Sequence, residues 1–279
     1  MKINRRNFLK TTALTSLYFA GFGVPSLANS SPKKNLVVVM LRGGMDGLCA
    51  LPIKGDKNFE KLRSKINLDK TLGLSSDFDL HPALETFKHL WDKNIGAAVH
   101  ATNIPYTGRS HFDGQNLMET GGKVPYQEKT GWLGRGMRLA GLTGNGLALS
   151  LPMPLLIRGV PMNNNYYPVG DRLPSPSTLQ IIQEVYKEYD EKLLSENLKI
   201  VLTRKLRNQG SRKSWALAAS AGDELSRSNG PRVAVFEVDG FDTHAAQGAT
   251  NGAHADCLSD YDNILKALKQ SMSNEAFKN

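Results

Sequence analysis

The chain has 279 residues, of which 40% are apolar and 22% charged. That is long and apolar enough to bury a sizeable core, which excludes a disordered chain. Its 35 Lys and Arg outnumber 26 Asp and Glu for a formal charge of +9, but no run of like charge or nucleic-acid module accompanies the excess, so no nucleic acid is expected as a partner.

The N-terminus reads Asn4-Arg5-Arg6-Asn7-Phe8-Leu9-Lys10, and no charge follows through Ala28. An arginine pair ahead of an apolar stretch is the layout of a twin-arginine signal peptide. Ser26-Leu27-Ala28 places small residues where a signal peptidase reads, so residues 1–28 are expected to be removed and the mature chain to begin at Asn29. Thr11, Thr12, Thr15, Ser16, Gly21, Gly23 and Pro25 make the stretch too mild for a bilayer span of about 20 apolar residues. No stable membrane anchor is therefore expected, and the destination is the periplasm or beyond. Removal takes away Lys2, Arg5, Arg6 and Lys10 and no acid, lowering the formal charge from +9 to +5. Residues 29–279 suit one large α/β domain. Cys49 and Cys257 are too few for a disulfide framework and read as incidental.

Residues 36–41, Leu-Val-Val-Val-Met-Leu, form a continuous apolar run between Lys33-Lys34 and Arg42-Gly43-Gly44. Such a run predicts a strand buried on both faces, as in a parallel sheet. Residues 82–93 place Leu84, Phe87, Leu90 and Trp91 on one helical face, and the apolar run 95–100 after them predicts a second strand, completing a βαβ unit. Further strands are expected at 147–151, 155–157 and 232–238. Residues 175–208, with Ser175 or Ser177 as N-cap, and then 214–226 and 254–272, have helical pattern. Residues 159–176 carry turn chemistry throughout and predict a surface loop.

Three polar clusters follow three predicted strands, and ligands of open α/β sheets bind at the carboxyl ends of strands. In Arg42-Gly43-Gly44-Met45-Asp46-Gly47-Leu48 the glycines permit a sharp turn that brings Asp46 to the mouth of the sheet, as a metal ligand or as the cap of the next helix. In the segment 105–113, Ser110 is a candidate nucleophile and Arg109 a candidate oxyanion holder. His111 and Asp113 are candidates for binding metal or orienting the serine, and the competing reading makes Ser110 an N-cap with Asp113 at N3. In Asp239-Gly240-Phe241-Asp242-Thr243-His244, Asp242 and His244 offer oxygen and nitrogen ligands for zinc or manganese, with Asp239 available to orient His244. His81, His89, His100 and His254 have no comparable grouping and read as structural.

These clusters, together with Leu80-His81-Pro82-Ala83-Leu84, His100 before Pro105, Gly131-Trp132-Leu133-Gly134-Arg135 and Gln247, give the chain an order of motifs that resembles the twin-arginine-exported family labelled domain of unknown function 1501. That family is similar to the alkaline phosphatase and sulfatase superfamily. The resemblance implies a three-layer α/β/α fold with a mostly parallel sheet and a divalent metal (zinc, manganese, calcium or magnesium). By position Asp46, Asp242 and His244 would be its ligands and Ser110 would lie near the nucleophile. Family members continue into a further strand, a Ser-Glu-Phe-Gly-Arg motif and an Asp-His-Gly motif. Against that pattern this chain, stopping at Asn279, reads as truncated at its C-terminus.

Two functions are carried forward. One is metal-dependent hydrolysis of a small anionic phosphate or sulfate ester, with Ser110, Arg109 and His111 as the catalytic candidates and Asp46, Asp242 and His244 as the metal candidates. The other is a non-catalytic exported protein for binding or assembly with a second exported protein, or an inactive family member.

Overall fold

A computed structural model describes residues 34–66, 68–150, 152–161, 163–165, 175–188 and 211–278, and from Asn35 onward they belong to one unit. The expected signal peptide, residues 166–174 of the expected surface loop, and residues 189–208 of the long helical segment lie outside the described residues.

In chain order the elements are β1 (Leu36–Leu41), α1 (Gly47–Ala50), α2 (Lys57–Leu62), β2 (Leu72–Gly73), β3 (Asp79–Leu80), α3 (Glu85–Asp92), α4 (His111–Thr120), α5 (Trp132–Leu139) and β4 (Gly146–Ala148). A 3-10 turn at Leu155–Ile157 precedes β5 (Asn164–Asn165), α6 (Pro176–Glu188), α7 (Ser214–Leu225), β6 (Val233–Val238), α8 (Ala253–Ser271) and α9 (Asn274–Lys278). The sheet runs β1-β6-β4-β5 with every neighbouring pair parallel, while β2 and β3 form a separate antiparallel pair. This is a mixed α/β fold around a parallel sheet.

The apolar strands are continuous because both sides of the sheet are covered. Along β1 and β6 the side chains alternate between two cores. Val37, Val39 and Leu41, with Ala234, Phe236 and Val238, meet residues of α7 and α8 such as Leu217, Leu225, Leu258 and Ile264. Val38 and Met40, with Val233 and Val235, meet Leu133 and Met137 of α5 and Leu156 and Ile157 of the 3-10 turn. A large side chain as fully buried as Phe236 contributes about 1.5–3 kcal/mol.

Two expected strands are corrected. Residues 95–100 take no strand conformation, and Ile95 and Val99 are 59% and 81% exposed. After α3 the chain turns at Asn94, which has φ +56°, and the Asn94 and Ile95 N–H groups bond back to Trp91 and Leu90. That termination directs the run away from the sheet, and among the described residues β1 pairs with β6 alone. Leu155–Ile157, between Pro154 and Gly159, closes a 3-10 turn instead of a strand. The three helices predicted at 82–93, 214–226 and 254–272 form within a few residues of the expected bounds. Ser175 is the hydroxyl that accepts from the Thr178 N–H at the start of α6.

Leu84, the N-cap of α3, has no side chain to bond the first amides of the helix. Asp262 of α8 supplies the missing acceptor across the fold, taking the Thr86 N–H at 2.9 Å and the Phe87 N–H at 3.0 Å. Asp262→Ala is expected to cost about 1–2 kcal/mol, with Asp262→Asn losing less because one acceptor oxygen remains. Urea unfolding of the three proteins measures this, and equal midpoints would refute the cross-fold cap.

Candidate metal centre

Because β1 and β6 are parallel neighbours in the register Leu36↔Val233 to Leu41↔Val238, both end at the same side of the sheet. The loop 42–46 and the loop 239–244 therefore emerge side by side, and the Arg42 carbonyl accepts the Phe241 N–H. Phe241 is buried, which fixes the second loop to the core and leaves Asp242 and His244 facing outward. His111, the first residue of α4, completes the group.

His111 Nε2 lies 3.1 Å from Asp242 Oδ1, and His244 Nε2 lies 2.9 Å from the same oxygen. The two imidazoles meet edge to face with centroids 6.2 Å apart. The ligand atoms of all three residues fall within 4.8 Å of one another. Atoms held about 2.0–2.1 Å from a tetrahedral zinc stand roughly 3.3 Å apart, so this spacing needs only small rotations to accept an ion. Two imidazoles and one carboxylate are also a chemically suitable donor set, and three protein ligands leave a position open. The group can coordinate a metal ion. Its side chains are 44%, 42% and 78% exposed for His111, Asp242 and His244, in that order.

The glycine pair of the first loop makes room for this assembly. Gly43 has φ +122°, and a Cβ there would stand 2.3 Å from the Asp242 backbone nitrogen; a Cβ at Gly44 would stand 2.9 Å from Cε1 of His111. His244 itself adopts φ +46°, the left-handed region that histidine enters more readily than most residues.

The remaining site candidates are placed differently. Asp46 is not a member of the cluster. It is the N-cap of α1, accepting the Cys49 N–H at 3.1 Å, and its other oxygen takes the Gln247 amide at 2.7 Å and the Arg63 guanidinium. Burial alone would raise its pKa, but the hydrogen bonds from Gln247, Arg63 and Cys49 and the charge of Arg63 outweigh it and hold the carboxyl below its ordinary value. Ser110 is the N-cap of α4, its hydroxyl accepting the Asp113 N–H at 3.2 Å. The Tyr106 hydroxyl bridges the cap, accepting the Ser110 N–H at 3.3 Å and donating to Asp113 at 3.1 Å. Arg109, next to Ser110, is exposed. Asp239 is exposed as well, and the position beside His244 that the sequence offered to it is taken by Asp242. Cys49 and Cys257 are both free thiols; burial of Cys49, with the charge of Asp46 nearby, pushes its pKa up.

One group was missed in the sequence. Arg42, the first residue after β1, ion-pairs with Glu119 of α4 at 2.7 Å and with Glu237 of β6, and bonds Gln115 at 3.2 Å. Glu119 uses its other oxygen to accept the Leu156 N–H at 2.8 Å. Burial works against the Arg42 charge, yet hydrogen bonds to Glu237 and Glu119 and the charges of both carboxylates raise its pKa above the ordinary value. This network ties the helix that presents His111 to β1 and to β6, the strand whose following loop supplies Asp242 and His244. An arginine directly after a charge-free strand was the only local signal for it.

These features define an α/β protein whose parallel sheet carries a His-Asp-His cluster, able to coordinate a metal ion, at the carboxyl ends of two adjacent strands. No family model, no curated protein and no solved structure matches the chain.

Proposed function

We propose that this protein is an exported, metal-dependent hydrolase of phosphate or sulfate esters, with an alkaline-phosphatase-like α/β/α domain of the kind found in the domain of unknown function 1501 family. The observation that carries the metal half is the convergence of His111 Nε2 and His244 Nε2 on Asp242 Oδ1. Zinc suits two imidazoles and a carboxylate better than calcium or magnesium does, since those ions favour all-oxygen sites. The ester half rests on the order of motifs in the sequence and on the placement of the cluster at strand ends.

When bound, a divalent ion supplies Lewis-acid polarisation of the ester and a more acidic water. The residues divide the remaining work. His111, Asp242 and His244 hold the ion. Gly43 and Gly44 keep the space beside His111 and Asp242 open, and exposed Arg109 offers a cation to an anionic ester near the start of α4. The Ser110 hydroxyl oxygen caps α4, and its own proton remains available for donation.

Zinc titration followed by calorimetry and elemental analysis is expected to give one ion per wild-type chain and none for Asp242→Ala or His244→Ala. Unchanged stoichiometric zinc in either variant would sink the assignment. Hydrolysis of p-nitrophenyl phosphate or p-nitrophenyl sulfate should vanish with the ion. The exposure of the cluster, greatest at His244, favours a second reading in which a partner protein supplies the remaining ligand and no chemistry follows. Zinc binding without turnover of either ester would select it.

Export is tested on the N-terminus. The periplasmic protein should have the mass of a chain beginning at Asn29, and Arg5→Lys with Arg6→Lys should leave full-length precursor in the cytoplasm. A periplasmic protein that retains residues 1–28 would refute cleavage.

A further inference from the structure

A cavity of about 670 Å³, within the ~300–1,000 Å³ typical of small-molecule sites, opens between the end of β1, α3 and α8. Leu80, Leu84 and Leu258 line it and are buried, while Val99 lines it and is 81% exposed, so one space runs from the core to the surface. It belongs to the core that α7 and α8 cover, and none of His111, Asp242 and His244 stands on its wall. The cavity is therefore separate from the metal centre. At roughly 30 Å³ per water, about 20 waters would fill such a volume, and each needs two to four polar partners that a mainly apolar wall does not offer. An apolar molecule that displaces them gains affinity.

Among the described residues the wall has four side chains with nitrogen or oxygen atoms: Asp46, His100, Thr102 and Tyr261. Asp46, the one carboxylate, is already matched by the Arg63 guanidinium and the Gln247 amide, so it does not call for a cation and disfavours an anion beside it. His100 packs its ring against Phe78 with centroids 5.1 Å apart, and Thr102 is exposed at the mouth. Tyr261 is half-buried, and its hydroxyl makes no hydrogen bond among the described residues. Burial, reinforced by the charge of Asp262, raises its pKa, so the phenol keeps its proton and can donate or accept. We infer that the cavity is a binding site for an uncharged alkyl or aryl molecule bearing one hydroxyl or carbonyl oxygen. The oxygen bonds the Tyr261 hydroxyl, and the apolar part lies against Leu80, Leu84 and Leu258. This site does not depend on the metal-centre reading above.

The test is calorimetry on the full chain near neutral pH with three probes that share one tail: octan-1-ol, octanoate and octylammonium. Octan-1-ol is expected to bind at least about tenfold more tightly than either ion, because only its head enters without losing the hydration of a charge. Ala98→Trp, a change in the exposed segment at the mouth, should abolish octanol binding, and Val99→Asp should weaken it by charging the rim. Tyr261→Phe keeps the ring, removes the hydroxyl and should weaken octanol roughly fivefold. Asp242→Ala and His244→Ala should leave octanol affinity unchanged, with or without zinc. Absence of octanol binding overturns the proposal, as does an octanol affinity unmoved by Ala98→Trp, Val99→Asp and Tyr261→Phe. Equal affinities for the three probes overturn it too, since the head would then remain in water. Loss of octanol binding in Asp242→Ala or His244→Ala would refute a site separate from the metal centre.

Discussion

Arg42→Met is expected to destabilise the fold by about 3–5 kcal/mol, a large part of the ~5–15 kcal/mol that a domain has in total. The side chains involved are 16%, 5% and 23% exposed for Arg42, Glu119 and Glu237. Removing the guanidinium leaves Glu119 almost without water and with the Leu156 N–H as its remaining partner. The cost is that of an uncompensated buried charge, so it should be relieved by neutralising the acids. Arg42→Met combined with Glu119→Gln and Glu237→Gln should recover most of the loss, because glutamine keeps a carbonyl oxygen for the Leu156 N–H. Guanidinium unfolding curves of the single and triple variants measure both effects. A single variant within 1 kcal/mol of wild type would refute the account. The same substitution should weaken zinc binding, since α4 loses its link to β1 and β6 and His111 its fixed approach to Asp242. Changes of this indirect kind typically cost roughly 10–100-fold in metal affinity.

The sequence made the strand-end clusters legible but not their division of labour. β1 and β6 were recognisable because strands covered on both faces carry no polar alternation. Residues 95–100 are also largely apolar but form no strand and lie mostly exposed, because an apolar run shows that a strand is allowed and does not show that a neighbouring strand is there to pair with it. The helix Trp132–Leu139 was missed for a related reason. Gly134 and Gly136 argue against a helix locally, but the tertiary packing needs Gly134, where a Cβ would stand 2.1 Å from the Arg158 carbonyl oxygen. At the site, Asp242 and His244 are two residues apart, and their pairing was foreseeable. His111 joins them from more than a hundred residues away, so its place in this cluster, against that of a serine partner, depended on how α4 docks. Asp46 followed its local signal, a carboxylate before a short helix, while Arg63 and Gln247 reached it through contacts that no spacing could announce.

His254 should make stability depend on pH between neutrality and mild acid. The ring is fully buried on α8, packed near Phe241 and His81 with centroids 5.7 and 6.4 Å away, and neither nitrogen has a hydrogen-bond partner among the described residues. Burial lowers its pKa from the ordinary 6.5; the charge of Asp46 opposes the shift, and His81 and Arg63 reinforce it. The native state thus holds a neutral imidazole where the unfolded chain takes up a proton. Above 6.5 both states are neutral and the contribution is complete. As pH falls from 6.5 towards the lowered native value, the unfolded state binds the extra proton, and stability declines by up to about 1.4 kcal/mol per pH unit. Asp46 does not interfere in this window. Its native pKa lies below its ordinary 3.8, so its contribution persists until pH falls below that range. His254→Leu removes the titrating group and its unpartnered nitrogens, and is expected to be neutral or stabilising by about 1 kcal/mol at pH 7.5. Urea unfolding from pH 7.5 to 5 should show the leucine variant gaining on wild type at each acid step. Parallel curves for the two proteins would mean that His254 does not titrate differently in the folded and unfolded chain.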